Sequence, residues 1–164
     1  MSYPWMKKTL KISLIVAVLS LIGIQFIRPE RSNPPVDPGL RLEASNDLPG
    51  DVKRVLKRSC YDCHSHETVY PWYSNVAPLS WGMVDHIRHG RDELNFSVWN
   101  TYSVSRKERK LEEICEEITE RKMPHSQYLW LHWDAALSEE EISALCDWTK
   151  SAANQLKVTL ENDG

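Results

Sequence analysis

Cys60-Tyr61-Asp62-Cys63-His64, a C-x-x-C-H sequence, is the part of this chain around which we expect the rest to fold. Two cysteines separated by two residues and followed at once by a histidine form the pattern by which a c-type haem is attached. Each thiol can form a thioether with a haem vinyl group, while the adjacent imidazole reaches the iron as the proximal axial ligand. The spacing therefore predicts one covalent haem on Cys60 and Cys63, with His64 on the iron.

A disulfide and a zinc site are the two alternatives for this pair of cysteines. A Cys60–Cys63 disulfide would leave the adjoining His64 without a role. Structural zinc sites usually combine two closely spaced ligand pairs, and this chain has no second pair of that kind. Zinc would have to take its remaining ligands from His64, His66, Cys115 or Cys146. We therefore favour haem.

Residues 1–28 have the pattern of an N-terminal targeting segment. Three lysines between positions 7 and 11 precede the mostly apolar run Ile12–Ile27. With Leu10 the run is about 18 residues, near the lower limit of a membrane-spanning helix and longer than the usual core of a cleaved signal peptide. We expect an uncleaved membrane anchor, with a cleaved leader as the alternative. Because cationic flanks stay in the cytoplasm, the rest of the chain would lie on the periplasmic side of a bacterial inner membrane.

This location fits the chemistry of the cysteines. Outside the cytoplasm thiols are normally oxidised or chemically capped, and haem attachment is such a cap. The net charge of the chain is −3, and the part that follows the N-terminal lysines, Arg28–Gly164, carries about −6. A mildly acidic exported domain argues against binding nucleic acid and weakly favours a basic partner.

Composition divides the chain into an anchor, a linker, one domain and a short tail. Residues 29–46 contain four prolines and few apolar residues, which predicts an extended linker that holds the domain off the membrane. Residues 47–158 are predicted to form the haem-binding domain, and 159–164 the tail. At 164 residues the chain is long enough for one domain with a sizeable core but not comfortably for two.

Apolar periodicity predicts an all-α domain of four helices. We expect them from about residue 47 to the cysteines, from 80 to 89 with Gly90 as the stop, from 105 to Pro124, and from 138 onward. Capping boxes open the last two helices, Ser105 with Glu108 and Ser138 with Glu141. The other two cysteines, at 115 and 146, fall on apolar faces of these helices. They form either a disulfide between the helices or two buried small side chains.

Met123-Pro124 is the second informative pair of residues. The residue before a proline is kept out of helical conformation, so Met123 is expected on an extended segment that can present its thioether to iron. Met opposite His is the ligand arrangement of electron-transfer cytochromes. Alternatively, Met123 fills a gap in the core and a histidine is the sixth ligand. The candidate histidines are His86, His89, His125 and His132.

Several motifs occur in order along the chain: Ser59-Cys60-Tyr61-Asp62-Cys63-His64-Ser65, Pro71-Trp72-Tyr73-Ser74, Ala77-Pro78, His86, Gly90-Arg91, Asn95-Phe96-Ser97, Met123-Pro124, Tyr128 and His132. With this set, from about Asp47 to Lys150, the chain resembles the bacterial haem-binding domain family, membrane-anchored or exported proteins related to c-type cytochromes. The resemblance implies an all-α, cytochrome-c-like domain around one covalent haem, with iron held by His64 and Met123. It also implies a proline or small residue after Pro124, where this chain has His125, a competing ligand.

Two classes of function follow from these predictions. With both faces of the iron ligated, the haem has no open position for a substrate, and the protein would exchange single electrons with redox partner proteins. In the alternative, an open or labile sixth position beside a distal histidine such as His86, His89 or His132 would support peroxidase activity or gas and redox sensing. We favour the first class: a membrane-anchored monohaem c-type cytochrome, an electron carrier rather than an enzyme.

Overall fold

All regular structure in the described part of the chain is helical. The computed structural model describes residues 4–45 and 47–162, and side chains within 5–45 and 47–158. No strand occurs there, so the all-α prediction is confirmed for these residues. The helices are α1 (Pro4–Ile24), α2 (Leu42–Ser45), α3 (Gly50–Ser59), α4 (Tyr61–His64), α5 (Leu79–Glu93), α6 (Val104–Thr119), α7 (Ser126–Leu129) and α8 (Glu139–Asn162). Short 3₁₀ helices form at Pro38–Leu40, Trp72–Asn75, Phe96–Thr101 and Trp133–Ala135.

The N-terminal helix α1 differs from the predicted anchor in the position of its lysines. The sequence predicts lysines that flank an apolar run, but Lys7, Lys8 and Lys11 lie inside this helix of 21 residues. Among the helices of residues 4–45 and 47–162, none is both long and apolar enough to cross a membrane. The structure therefore gives no support to the predicted anchor.

The chain divides into two compact units. One of them consists of the chain up to Ser32 together with Val69–His86. In this unit the segment that follows α1 is fixed by the side-chain amide of Gln25. That amide donates a hydrogen bond of 3.0 Å to the carbonyl oxygen of Ala77 and accepts one of 2.9 Å from the amide N–H of Ala77. A paired amide of this kind ties the end of α1 to the start of α5.

The other unit consists of Asn33–Thr68 and the chain from Ile87 onward. Its core is formed by α3, α6, α8 and the 3₁₀ helix Phe96–Thr101, whose apolar side chains meet. Burial of this apolar surface is the main source of stability, at roughly 25 cal/mol for each Å² removed from water. The largest fully buried side chains of this core are Trp99, Phe96, Leu42, Leu56, Leu111 and Leu145.

A disulfide joins the two long helices of the second unit. Cys115 of α6 and Cys146 of α8 are bonded, with their Cα atoms 4.9 Å apart. This settles the two alternatives left open by the sequence in favour of the bridge. The two helices bring the cysteines together because each carries its cysteine on the apolar face that packs against the other.

The start of α8 is as predicted, whereas the start of α6 is not. The amide N–H of Glu141 donates to Ser138 Oγ at 3.2 Å, and the amide N–H of Ser138 donates to Glu141 Oε2 at 3.0 Å. This is the predicted capping box. In α6 the N-cap is Ser103, whose Oγ accepts from the amide N–H of Arg106 at 3.3 Å. The predicted cap at Ser105 is therefore wrong by two positions.

Two predicted helix ends are also wrong. The second predicted helix, α5, does not stop at Gly90 but continues to Glu93. The third, α6, ends at Thr119, well before Pro124. Its end is explained by Arg121, which has a φ of 57°, the left-handed conformation that interrupts a right-handed helix.

Part of the predicted linker belongs to the folded domain. Leu42, on α2, has an exposed fraction of 0% and lies in the core. The side-chain amide of Asn100 donates to the carbonyl oxygens of Gly39 and Arg41, at 2.9 and 3.2 Å. Apolar content in this stretch is low, but one fully buried leucine and these hydrogen bonds are enough to fix it against the 3₁₀ helix Phe96–Thr101.

Candidate functional site

Helix α3 places the C-x-x-C-H segment at the edge of the core. Its buried face is formed by Val52, Val55 and Leu56, which recur at the spacing of an amphipathic helix. The helix ends at Cys60, whose amide N–H donates to the carbonyl oxygen of Leu56 at 2.9 Å. The sequence therefore predicts correctly that this helix leads into the cysteines.

Cys60 is the junction between α3 and the single turn α4. Its carbonyl oxygen accepts hydrogen bonds from the amide N–H groups of Cys63 and His64, at 3.2 and 2.9 Å. This turn presents both thiols within one helical repeat. Both cysteines are half-buried and neither is in a disulfide. They stay free in a structure that pairs the other two cysteines of the chain.

The two thiols are kept protonated by their surroundings. Burial raises the pKa of Cys60 to about 12, and the nearby Cys63 adds to the shift. Burial also raises the pKa of Cys63 to about 11, with Asp62 adding to it. Cysteines that act as nucleophiles, or as thiolates in redox motifs, have a lowered pKa instead. The raised pKa values therefore argue against a thiolate at either position at neutral pH.

The imidazole of His64 is held by two backbone carbonyls. Its Nδ1 lies 2.9 Å from the carbonyl oxygen of Gly90 and 3.0 Å from that of Leu94. Because a carbonyl oxygen only accepts, Nδ1 carries the hydrogen and Nε2 keeps its lone pair. Burial lowers the pKa of His64, so the ring is neutral at neutral pH. A metal-ligating histidine typically has this arrangement, with one nitrogen on a carbonyl and the other for the metal.

Gly90 allows α5 to approach the backbone of Cys63 closely. The hydrogen bond from His64 to the carbonyl oxygen of Gly90 depends on this approach. A Cβ at this position would lie 2.8 Å from the carbonyl oxygen of Cys63 and 3.3 Å from its carbonyl carbon. Backbone atoms cannot rotate away, so only glycine fits. The sequence suggests a helix stop here, whereas the glycine in fact lets α5 pack directly on the peptide of Cys63.

The aromatic ring of Phe96 packs near the imidazole of His64. Phe96 is 1% exposed and meets the ring of His64 edge-on, with centroids 6.4 Å apart. It also stacks on Tyr61, at 5.1 Å between centroids. Phe96 thus packs against two residues of α4, His64 and Tyr61.

Arg91 fixes the chain that follows His64. Its Nε donates to the carbonyl oxygen of Ser65 at 2.7 Å, and its Nη2 donates to Thr68 Oγ1 at 2.9 Å. The hydroxyl of Thr68 in turn donates to the carbonyl oxygen of Asp62 at 2.6 Å. Arg91 thus binds Ser65 directly and is linked to Asp62, on the other side of His64, through the hydroxyl of Thr68. We did not predict this role from the sequence, although the Gly90-Arg91 pair was a possible signal.

The segment that carries Met123 meets α4 through Tyr128. Met123 is half-buried and packs against the core, and its peptide bond to Pro124 is cis. The hydroxyl of Tyr128 donates to Asp62 Oδ2 at 2.8 Å. Asp62 lies between the two cysteines, so this hydrogen bond connects the Met123 segment directly to the attachment site. Ligation of iron by Met123 stays a prediction.

The alternative ligands lie in different surroundings. His132 is half-buried and its ring stacks on that of Tyr128, with centroids 4.2 Å apart. His125 and His89 are exposed. His86 is exposed as well and belongs to the first unit. The stack of His132 on Tyr128 leads to α4, because Tyr128 is hydrogen-bonded to Asp62.

The zinc alternative is not supported. In the ranges 4–45 and 47–162, no three His, Cys, Asp or Glu side chains are grouped so as to hold a metal ion. Cys115 and Cys146, two of the ligands that zinc would have needed, are bonded to each other.

Comparison with known families agrees with this site. The model of a family described as a haem-binding domain matches residues 19–151, which is most of the chain and includes every residue of the candidate site. A comparison with curated proteins and one with solved structures gave no match. The resemblance inferred from the motifs is confirmed at the level of the haem-binding domain family, which supports haem binding by this chain, whereas the residues that hold the haem stay a prediction. The chain belongs to the haem-binding domain family.

Proposed function

We propose that this protein is a monohaem c-type cytochrome that carries single electrons outside the cytoplasm. The observation that carries the proposal is the environment of His64. Its neutral imidazole has Nδ1 on two carbonyl oxygens and Nε2 available, directly beside two free, protonated thiols. Haem binding by itself requires only an axial ligand; the paired thiols indicate covalent attachment.

Each side chain has a defined part in this proposal. The S–H groups of Cys60 and Cys63 add across the two vinyl double bonds, which forms a C–S and a C–H bond at each vinyl group without net oxidation. Nε2 of His64 binds the iron, and the carbonyls of Gly90 and Leu94 keep the ring in the required orientation. Once bound, the haem supplies the one-electron couple of its iron.

Met123 is the sixth ligand in the proposal, which leaves the iron no open position. Its support is the position of Met123 directly before Pro124, in a bend of the chain, and the connection of that segment to Asp62 through Tyr128. A protein with both axial positions filled needs no substrate pocket and no acid-base group. It exchanges electrons with a redox partner protein through the haem edge.

The domain is proposed to act on the periplasmic side of a bacterial inner membrane. The disulfide Cys115–Cys146 supports an oxidising compartment, because such bonds are rare in the cytoplasm. The lysines and apolar run of the first 28 residues support export. Membrane attachment is tested by fractionation: an anchored chain needs detergent for release and keeps its first residues, whereas a cleaved chain is recovered without detergent and begins after the apolar run.

Covalent attachment is tested by the mass of the denatured chain. The protein is produced in a host with working haem-attachment machinery, and the denatured polypeptide is examined by mass spectrometry and for colour. We expect it to keep the mass of one haem. A denatured chain without this mass, from a native protein that binds haem, would show non-covalent binding and contradict the c-type proposal.

The sixth ligand is tested with Met123→Ala. We expect loss of the sulfur-to-iron charge-transfer band of the oxidised protein and a lower reduction potential, because Met ligation raises the potential. Met83→Ala, at another half-buried methionine, is the control and should leave the band unchanged. Rapid binding of carbon monoxide to the reduced wild type would instead favour the open-site alternative, a peroxidase or sensor.

A further inference from the structure

We propose that Tyr128 is a positioning residue that keeps His132 off the iron and so selects Met123 as the sixth ligand. This inference rests on the proposed function, because it concerns the ligand set of an attached haem. It assigns the choice between two candidate ligands to a third side chain, one that does not itself bind the iron.

The first observation is the hydrogen bond between Tyr128 and the attachment segment. The phenol O–H donates to Asp62 Oδ2 at 2.8 Å. Asp62 is on α4, the same single turn that carries Cys63 and His64. A haem fixed to Cys60 and Cys63 therefore has a fixed position relative to Asp62, and the hydrogen bond extends that restraint to α7. Hydrogen bonds to a carboxylate are among the stronger ones in proteins.

The second observation is the stacking of His132 on Tyr128. The two rings lie 4.2 Å apart at their centroids with planes 4° from parallel. They are four residues apart, and the amide N–H of His132 donates to the carbonyl oxygen of Tyr128 at 3.1 Å. The imidazole is thus restrained through its own backbone and through the face of its ring. Ligation of iron from any other position of the ring would break this contact.

The third observation is that Met123 and His132 flank the same restrained turn. Met123 precedes α7 and packs against the core, whereas His132 follows α7 and packs on Tyr128. The thioether sulfur of Met123 and the imidazole nitrogen of His132 are both ligands that haem iron accepts. The restraint acts on the imidazole of His132 and leaves the thioether of Met123 for the iron. It therefore decides which of the two side chains binds.

Two substitutions separate the hydrogen bond from the stack. Tyr128→Phe keeps the ring and removes the hydroxyl, so we expect the sulfur-to-iron charge-transfer band (the Met band) of the oxidised protein to remain. Because the Met123 segment is then less firmly held, carbon monoxide should bind to the reduced protein about tenfold faster or more. Tyr128→Ala removes both restraints. We expect its Met band to disappear and a bis-histidine spectrum, with a lower reduction potential, to replace it.

A double variant identifies the incoming ligand. In Tyr128→Ala/His132→Ala the imidazole is gone, and we expect the Met band to return. If Tyr128 had only a structural role, Tyr128→Ala would lower the stability of the protein but would not exchange one iron ligand for another. Persistence of the Met band in Tyr128→Ala would overturn the inference, as would absence of that band in the wild type.

Asp62→Ala provides a second route to the same answer if Tyr128→Ala does not fold. It removes the acceptor without touching α7, so its carbon monoxide kinetics should match those of Tyr128→Phe. The double variant Asp62→Ala/Tyr128→Phe should show no further increase, because both changes remove one hydrogen bond. Additive effects would contradict the inference. Covalent attachment in the wild type is tested separately, by the mass of the denatured chain. Its failure would contradict the proposed function itself.

Discussion

The two pairs of cysteines in this chain have different surroundings and different chemistry. Cys115 and Cys146 are 31 residues apart and are bonded, across two helices whose apolar faces meet. Cys60 and Cys63 lie on one turn, remain free and sit beside an oriented imidazole. The first pair joins two packed helices, and the second is the pair that we propose for haem attachment. The comparison teaches that the neighbours of a cysteine, rather than the residue type or the compartment, decide what it does.

The largest expected difference between the two pairs concerns the haem. Cys60→Ala/Cys63→Ala should abolish covalent haem, because both thioether sulfurs are removed. Cys115→Ala/Cys146→Ala should keep it. The measurement is haem staining of the two denatured variants after electrophoresis, with wild type beside them. Equal staining of both would remove the distinction between the pairs.

The bridged pair should have the larger effect on stability. Cys115→Ala/Cys146→Ala is expected to lower the free energy of unfolding by about 3–4 kcal/mol, as the loop it closes in the unfolded chain is of intermediate length. Denaturant titration, followed by circular dichroism, measures the change. Wild type under a reductant that opens the bridge is the matched control and should lose a similar amount. A loss well below 1 kcal/mol in both samples would mean that the bridge does not stabilise the α6–α8 packing.

The free pair depends on a close contact that a single methyl group should disturb. Gly90→Ala places a Cβ 2.8 Å from the carbonyl oxygen of Cys63, and we expect a loss of about 1–3 kcal/mol in the free energy of unfolding. Gly82→Ala, also within α5, has open space at its Cβ and should instead gain up to about 1 kcal/mol from helix propensity. Equal effects of the two substitutions would contradict the contact. Haem content of Gly90→Ala should fall in parallel.

The smallest expected effect concerns an ion pair between α3, which leads to the free cysteines, and α8, which carries Cys146. Arg58 of α3 donates to Glu141 of α8 at 2.9 Å, and this hydrogen bond lowers the pKa of Glu141 from its ordinary value of 4.5. The carboxylate therefore stabilises the fold above pH 4.5, and the contribution is lost as the pH falls through the lowered value.

Glu141→Gln tests this contribution. Since both side chains are partly exposed, we expect it to cost about 0.5–1 kcal/mol at pH 7 and less in acid. The free energy of unfolding at several pH values measures the difference. Glu112→Gln, an exposed glutamate of α6, is the control. A cost for Glu141→Gln that stays constant from neutral to acid pH would show that the ion pair is not its cause.

Local sequence patterns predicted the features that depend on neighbouring residues. The C-x-x-C-H spacing, the apolar face of α3 and the Ser138–Glu141 capping box each lie within one or two helical turns. For the same reason, the start of α6 was misjudged: Ser103 and Ser105 both suit an N-cap, and only the observed backbone decides between them. Family motifs added the haem-binding assignment, which no periodicity contains.

Features that depend on distant residues could not be predicted. The contact of Gly90 with Cys63 requires knowledge of how α5 packs on α4. The hydrogen bond from Tyr128 to Asp62 joins residues that are far apart in sequence, and Leu42 enters the core from a stretch whose composition is that of a linker. The pattern predicts His64 as a ligand but not its tautomer, because the tautomer is determined by the carbonyls of Gly90 and Leu94, which are distant in sequence.

The position of His64 at the end of α5 has a consequence for the redox chemistry. Gly90 is in the last turn of this helix and Leu94 directly follows it, where the helix dipole is negative. The imidazole N–H donates to both carbonyl oxygens, so the negative end of the dipole lies against the proposed proximal ligand. In the proposed cytochrome this field favours the oxidised, more positively charged iron and lowers the reduction potential. The thioether of Met123 acts in the opposite direction, and the potential is the balance between a helix on one side of the haem and a sulfur on the other.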